Sequence, residues 1–211
     1  MTTNAGVERQ KLADLMAEVG PDADTLCEGW TTRDLAAHIV MRERRPDGAV
    51  GVLVKPFAGY ADKVQDSIAA KDWGFIVAKI RSGPPKWSPM RIDSIDRMTN
   101  TVEFFVHHED VRRAADGWQP RELDAGLVDD LHADLKRGSR LLVRKAPTGV
   151  TLEPTDGHDA IVAKTRDPMV TVRGPVGELV LFVYGRQAHA LVELDGPPDA
   201  VESLRTASFG L

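Results

Sequence analysis

The spacing of the apolar residues changes once along this chain, at Pro147, and that change constrains the fold more than any other feature. Before it, the spacing is helical. Leu12, Leu15, Met16 and Val19 recur once per turn, and Gly20-Pro21 ends the run. A second helix is expected from about Thr32 to Arg44, stopped by Pro46. A third segment carries Tyr60, Val64 and Ile68, then continues after a break near Asp72 through Phe75, Ile76, Val77 and Ile80. Gly83-Pro84-Pro85 and Pro89 mark a loop. A long helix follows from about Arg91 to Ala114, closed by Gly117 and Pro120, and a last one holds Leu123, Leu127, Leu131, Leu135 and Leu142.

Beyond Pro147 the runs are short and β-branched. Val150-Thr151-Leu152, Ile161-Val162-Ala163 and Val170-Thr171-Val172 read as strands separated by Gly, Pro and Asp. Gly177 to Tyr184 reads as a buried helix, Leu191 to Leu194 as a further strand, and Pro198 to Thr206 as a closing helix with proline near its start. The fold class expected is α+β, with a helical bundle over residues 1–145 and a small α+β domain over 146–211. A unit of about 65 residues buries only a modest core and is expected to lean on the bundle.

Composition removes several classes of function. No apolar run approaches the roughly 20 residues of a membrane span, and the N-terminus lacks the basic start and apolar core of a signal peptide. A single cysteine, Cys27, permits no internal disulfide and fits a reducing cytoplasm. The net charge of −5 argues against a nucleic-acid surface. The one basic cluster, Arg42-Glu43-Arg44-Arg45, contains its own carboxylate and reads as a solvated helix end favoured by the dipole. No Ser-His-Asp order, phosphate-binding glycine loop or Cys-x-x-Cys pair is present.

Chemistry concentrates on the long helix. Glu103 and His107 are four residues apart, which puts both on one face a turn apart, a chelating geometry for a transition metal. Asp96, Asn100, Glu103, His107 and Asp110 continue that face at spacings of four, three, four and three. A solvent-facing stripe has the same spacing, so a metal reading needs a third ligand from elsewhere. His38 is the candidate. It lies in the second turn of a helix opened by a Thr31/Asp34 capping box, flanked by Leu35, Ile39 and Met41, and so points toward a core. Two imidazoles and one carboxylate leave a fourth position on zinc open, the pattern of a catalytic site. That position can make hydroxide from water near neutral pH or take a thiol as its thiolate.

Other candidates are weaker. Asp110 is either an acceptor that orients an imidazole or a helix-surface carboxylate. His108 points roughly 100° away from His107 on the helix, and Glu109 also faces off the stripe. His132, His158 and His189 lack partners at ligand spacing and read as surface or satisfied histidines. Cys27, in the turn before Trp30, reads as a buried structural thiol rather than a redox or ligand group.

The run Gly29-Trp30-Thr31-Thr32-Arg33-Asp34-Leu35-Ala36-Ala37-His38, followed by Glu103-Phe104-Phe105-Val106-His107-His108-Glu109-Asp110-Val111-Arg112-Arg113-Ala114, resembles the mycothiol-dependent maleylpyruvate isomerase family. That family belongs to the DinB-like metal-binding four-helix bundles. The tail from Val170 to Arg186 looks like the small C-terminal domain of the same family, so the resemblance spans nearly the whole chain in order. Its motifs mark a metal site, not a substrate. The resemblance implies zinc or another divalent metal on His38, Glu103 and His107, and mycothiol as a thiol cofactor whose sulfur takes the open position. It also implies an active-site arginine at Arg186.

These readings predict a cytoplasmic, zinc-dependent thiol (mycothiol) transferase or isomerase, monomer or homodimer, acting on a small electrophilic metabolite. A zinc-hydroxide hydrolase, for example an amidase on a thiol conjugate, and a non-catalytic metal-binding stress-response protein use the same ligands and stay open. From the second domain, Arg186 or Arg173 is expected to offer a guanidinium fork to the cofactor.

Overall fold

The computed structural model describes residues 3–45 and 58–209; Pro46, expected to stop the second helix, lies outside them. Among the described residues are eight α-helices and a four-stranded sheet, so the chain is α+β. It divides into two compact units, residues 1–120 and 121–211.

The first unit is helical: α1 (Asn4–Val19), α2 (Thr32–Arg44), α3 (Ala58–Ala69), α4 (Trp73–Arg81) and α5 (Asp93–Arg112). Short polar side chains start several of them by accepting from backbone N–H groups that have no partner within the helix. Thr3 accepts from Gly6 N at 3.0 Å, and Asp72 from Phe75 N at 3.0 Å. The Thr31/Asp34 capping box forms as expected, with Asp34 Oδ2 accepting from Thr31 N at 2.9 Å. Gly20 ends α1 at φ +83°, a left-handed backbone that residues with a Cβ rarely adopt. Helix α1 packs along α5 and against α4, while α2 packs against α3 and α4. Leu12, Met16, Leu35, Ile39, Ile76, Ile80 and Phe104 form the shared core. Each contributes on the order of 1.5–3 kcal/mol by leaving water.

The second unit starts earlier than the change of periodicity at Pro147. Helix α6 (Ala125–Leu142), expected as the last helix of the bundle, packs instead against β2 (Ile161–Lys164) and α7 (Val176–Val183). The physical reason is the apolar demand of α7. All eight of its residues are buried, so it needs a cover, and the Leu127, Leu131, Leu135 and Leu142 stripe of α6 is buried within this unit. With β1 (Gly149–Pro154), β3 (Met169–Gly174) and β4 (Glu193–Asp195), β2 completes a sheet of order β2-β1-β3-β4. The central pair β1/β3 is parallel, registered Leu152 opposite Val172, and both edge strands are antiparallel. At Gly149 a Cβ would lie 2.1 Å from Met169 Sδ and 2.2 Å from the Arg166 carbonyl oxygen, so only glycine fits where β1 begins. Helix α8 (Pro198–Arg205) closes the unit with Ala200 and Leu204 buried.

Candidate metal centre

Helix α5 buries its polar face. Asp96, Asn100 and Asp110 are buried, and the side chains of Glu103 and His107 are only 24% and 12% exposed. Ile92 and Met98, apolar neighbours of the stripe, are the exposed ones. A buried polar row is unfavourable unless every group is paired, and the facing helices supply the partners. Arg9 of α1 donates from Nη2 to Asp96 Oδ1 (3.1 Å) and to Glu43 Oε1 of α2 (2.7 Å). Asn100 donates to Asp96 Oδ1 (2.8 Å) and accepts from Arg42 Nη1 (2.5 Å). Arg42 also donates to the Thr99 carbonyl (2.7 Å) and places Nε 3.4 Å from Glu103 Oε1.

The Arg42-Glu43-Arg44-Arg45 cluster is therefore no solvated helix end over its first three residues. Arg42 meets the stripe, Glu43 is buried against Arg9, and Arg44 donates to Ser82 Oγ at 2.7 Å. Arg42 is the site residue that sequence reasoning missed. Its position four residues after His38, on the same face of α2, was the available signal.

Glu103 Oε1 is the point on which the cluster converges. His107 Nε2 lies 3.3 Å from it and His38 Nε2 lies 3.6 Å from it. The two imidazoles meet edge to face with centroids 5.8 Å apart, and the Trp30 ring stands 5.3 Å from that of His38. A tetrahedral ion with bonds of about 2.0–2.1 Å to nitrogen and oxygen sets neighbouring donors about 3.3–3.4 Å apart. These two separations sit close to that edge length, and the three donor atoms all lie within 4.8 Å of one another. Small side-chain movements are enough to close them on one divalent cation, and this donor set suits zinc.

The electrostatics keep Glu103 ionised and hold on His107 a proton that a cation would displace. Burial alone would raise the pKa of Glu103, but hydrogen bonds from His107 and His38, with the nearby His107 and Arg42 charges, hold it well below the usual carboxylate range. Burial likewise disfavours a charged His107. Its bonds to Asp110, Cys27 and Glu103 nevertheless push its pKa well above the ordinary 6.5.

Behind the cluster, Asp110 Oδ2 lies 2.9 Å from His107 Nδ1 and accepts from Cys27 Sγ at 3.2 Å. Asp110 is fully buried, so it is an orienting acceptor and not a surface carboxylate. Cys27, expected to be buried, is partly exposed and forms part of this group. His108 turns away to bond Glu8 (3.1 Å), and Glu109 is buried against Arg112 and Arg113.

In the second unit, Arg173 bonds both oxygens of Glu153, its cross-strand partner, at 3.0 and 3.1 Å. Arg186 follows Gly185 (φ +87°) and donates to the Tyr184 carbonyl at 2.5 Å. His158 lies between Asp129 Oδ1 (3.0 Å) and Asp156 Oδ1 (3.3 Å), and His132 Nε2 bonds the Asp159 carbonyl (3.0 Å). Their rings are 4.5 Å apart. Asp129 and Asp159 lie far along the chain from His158 and His132 respectively, which is why spacing did not show them, whereas Asp156 stands two residues from His158 in the same loop.

Among solved structures, this fold is shared with the mycothiol-dependent maleylpyruvate isomerase and with a histidine-to-alanine variant of that protein. Each matches at a TM-score of 0.62 over 91% of this chain and 90% of the other, at 13% identity. No family model matches the chain, and no curated protein matches it in sequence. Among the described residues, no helix is long and apolar enough to cross a membrane.

Proposed function

We propose that this chain holds a divalent cation, zinc by its donor chemistry, on His38, Glu103 and His107, and is a thiol-dependent isomerase or transferase for a small electrophilic metabolite. The observation that carries the reading is the convergence of two imidazoles and a carboxylate, from two helices, at separations close to the edge of a tetrahedral site. The fold shared with an isomerase that depends on mycothiol supports a thiol as the second component. Bound there, the cation lowers the pKa of a thiol or a water that reaches its open position.

The chain's own residues do the rest. Asp110 accepts from Nδ1 of His107 and so aims Nε2 at Glu103 and His38, where a cation would take the place of the Nε2 proton. Glu103 stays ionised because His107, His38 and Arg42 surround it. Arg42, held by Asn100 and the Thr99 carbonyl, fixes a positive charge beside the cluster, where it can orient an anionic or hydroxylated group of a substrate. Trp30 packs against His38 and limits its movement.

The test is cobalt substitution followed by titration with mycothiol. Perturbation of the cobalt absorption by the thiol, lost in His38→Ala, is the expected result. A spectrum indifferent to the thiol, together with turnover of a thiol-conjugate amide, assigns the site to hydrolysis instead. Cobalt binding that survives His38→Ala when Cys27 is also replaced by Ser overturns the ligand set.

A further inference from the structure

His107 is shared by two donor groups, one on each ring nitrogen, and above the Nδ1 side serves only to orient the ring. On the Nδ1 side stand Asp110 Oδ2 and Cys27 Sγ, and the three donor atoms lie within 4.8 Å of one another. We propose that Cys27, Asp110 and Nδ1 of His107 form a second cation site, one that takes a thiophilic ion and is coupled to the first through the imidazole ring.

Three features support this. First, the thiol is held in place by its loop. Leu26 N donates to the carbonyl oxygen of Asp110 itself (3.0 Å), Cys27 N donates to Thr25 Oγ1 (3.2 Å), and Trp30 N donates to the Cys27 carbonyl (2.9 Å). The loop between α1 and α2 is thus fastened to the last turns of α5 at the residue whose carboxylate the thiol meets. Second, the donor chemistry differs from that of the first group. One sulfur, one nitrogen and one carboxylate oxygen favour a softer ion than two nitrogens and an oxygen. Third, the group is nearly the right size. Bonds of about 2.3 Å to sulfur and 2.0–2.2 Å to nitrogen and oxygen set neighbouring donors about 3.3–3.6 Å apart. The present separations are 2.9 Å from Asp110 to His107 and 3.2 Å from Asp110 to Cys27, as expected of hydrogen bonds that must open by a few tenths of an ångström. Asp110 is fully buried, whereas Cys27 is partly exposed and gives the ion a way in.

The balance of protons defines the coupling. An ion binding here displaces the proton on Cys27 Sγ and the one that Nδ1 shares with Asp110, and Asp110 changes from acceptor to ligand. With Nε2 also engaged the ring carries no proton, so each site alters the affinity of the other.

Cadmium is the probe, because its bond to a thiolate gives an ultraviolet charge-transfer band and Cys27 is the single cysteine of the chain. The metal-free protein and a His38→Ala variant are titrated with cadmium chloride. Expected is a thiolate band in both, saturating at one cadmium per chain in His38→Ala. Cys27→Ser should abolish the band while still binding cobalt, and Asp110→Asn should weaken the cadmium affinity of His38→Ala at least tenfold with the thiol intact. Absence of the band from cadmium-saturated His38→Ala overturns the site. So does an affinity unmoved by Asp110→Asn, which marks a thiol binding alone, or one cadmium shared by two chains. The site goes beyond the proposed function, and its test survives failure of the first ligand set because His38→Ala already lacks that set.

Discussion

Asp110 Oδ2 lies 2.9 Å from Nδ1 of His107, and this contact decides which nitrogen of the ring faces Glu103. Without that acceptor the imidazole is free to adopt either tautomer and to rotate. Asp110→Asn keeps the shape but offers a weaker acceptor, and can present an N–H in its place. It should lower the affinity for zinc by roughly 10–100-fold, the range typical of outer-shell partners of metal-bound histidine. Competition with a chromophoric chelator measures it. An unchanged affinity removes Asp110 from the site.

Metal binding should also stabilise the fold. At a free zinc concentration about 100 times Kd, a site present only in the native state adds about 2.7 kcal/mol. Thermal unfolding with and without zinc should show that gain in the wild-type chain and lose it in His38→Ala and Glu103→Gln. A gain that persists in His38→Ala would come from another site, and subtracting it in Cys27→Ser assigns it to the Nδ1 side of His107.

The Arg9–Glu43–Asp96 group is a different kind of claim, about stability alone. Arg9 and Glu43 are 7% and 1% exposed at the side chain, and burial pushes the pKa of Glu43 up against the opposing pull of Arg9. Removing one member of a buried ion group strands the remaining charges, at a cost of about 3–5 kcal/mol. Arg9→Met should therefore lower the denaturant midpoint markedly, and adding Glu43→Gln should restore part of the loss. Additive effects of the two substitutions in a double-mutant cycle would show that the pair is not coupled.

Much of this was legible in the sequence, and the reasons differ by element. The elements themselves follow from local rules. Gly20-Pro21, the Thr31/Asp34 box and the apolar period of residues 123–142 act within a turn or two of where they stand, so α1, α2 and α6 lie where expected. Where α6 packs was not legible, because its leucine stripe specifies only that it needs an apolar surface, and α7 supplies one inside the second unit. For the candidate site, the i,i+4 pair on α5 was readable, and His38 followed from asking which inward histidine could complete it. The direction of the stripe was not, since a polar face paired to Arg9 and Arg42 and one paired to water have the same spacing. Cys27 lay beyond reach for a related reason, its place beside Asp110 being fixed by a backbone bond between residues 84 apart, Leu26 and Asp110.

In the second unit, His158 is expected to titrate above 6.5. A hydrogen bond to Asp129 is the main cause, with Asp156 adding to it against a smaller opposing effect of burial. Only the doubly protonated ring can donate to both carboxylates. Because the folded value is raised, the contribution to stability is fully present below the unfolded value near 6.5, and it is lost as pH rises through the folded value. Ring-proton NMR should give the raised value, and Asp129→Asn should bring it down. A His158 that titrates at 6.5 or below would show that neither carboxylate holds it in solution.

Arg186 carries the remaining expectation, that the second unit contributes a cationic group to thiol binding. It follows Gly185, whose backbone at φ +87° and close approach to the Phe209 carbonyl (3.2 Å from an added Cβ) disfavour any larger residue, so the turn that presents Arg186 is sterically defined. Arg173 lies on a strand with both Glu153 oxygens on its guanidinium. Arg186→Ala should leave zinc content unchanged, because none of the metal donors is altered. It should weaken mycothiol binding by the worth of a charge-assisted hydrogen bond, about 1.5–3 kcal/mol or roughly 10–150-fold in Kd. Calorimetric titration of the zinc-loaded protein reads both quantities. Unchanged thiol affinity excludes Arg186 from the site, and loss of zinc along with the thiol would mean that the substitution acts through the fold. Arg173→Ala serves as the reference, with thiol affinity expected to stay within twofold of wild type.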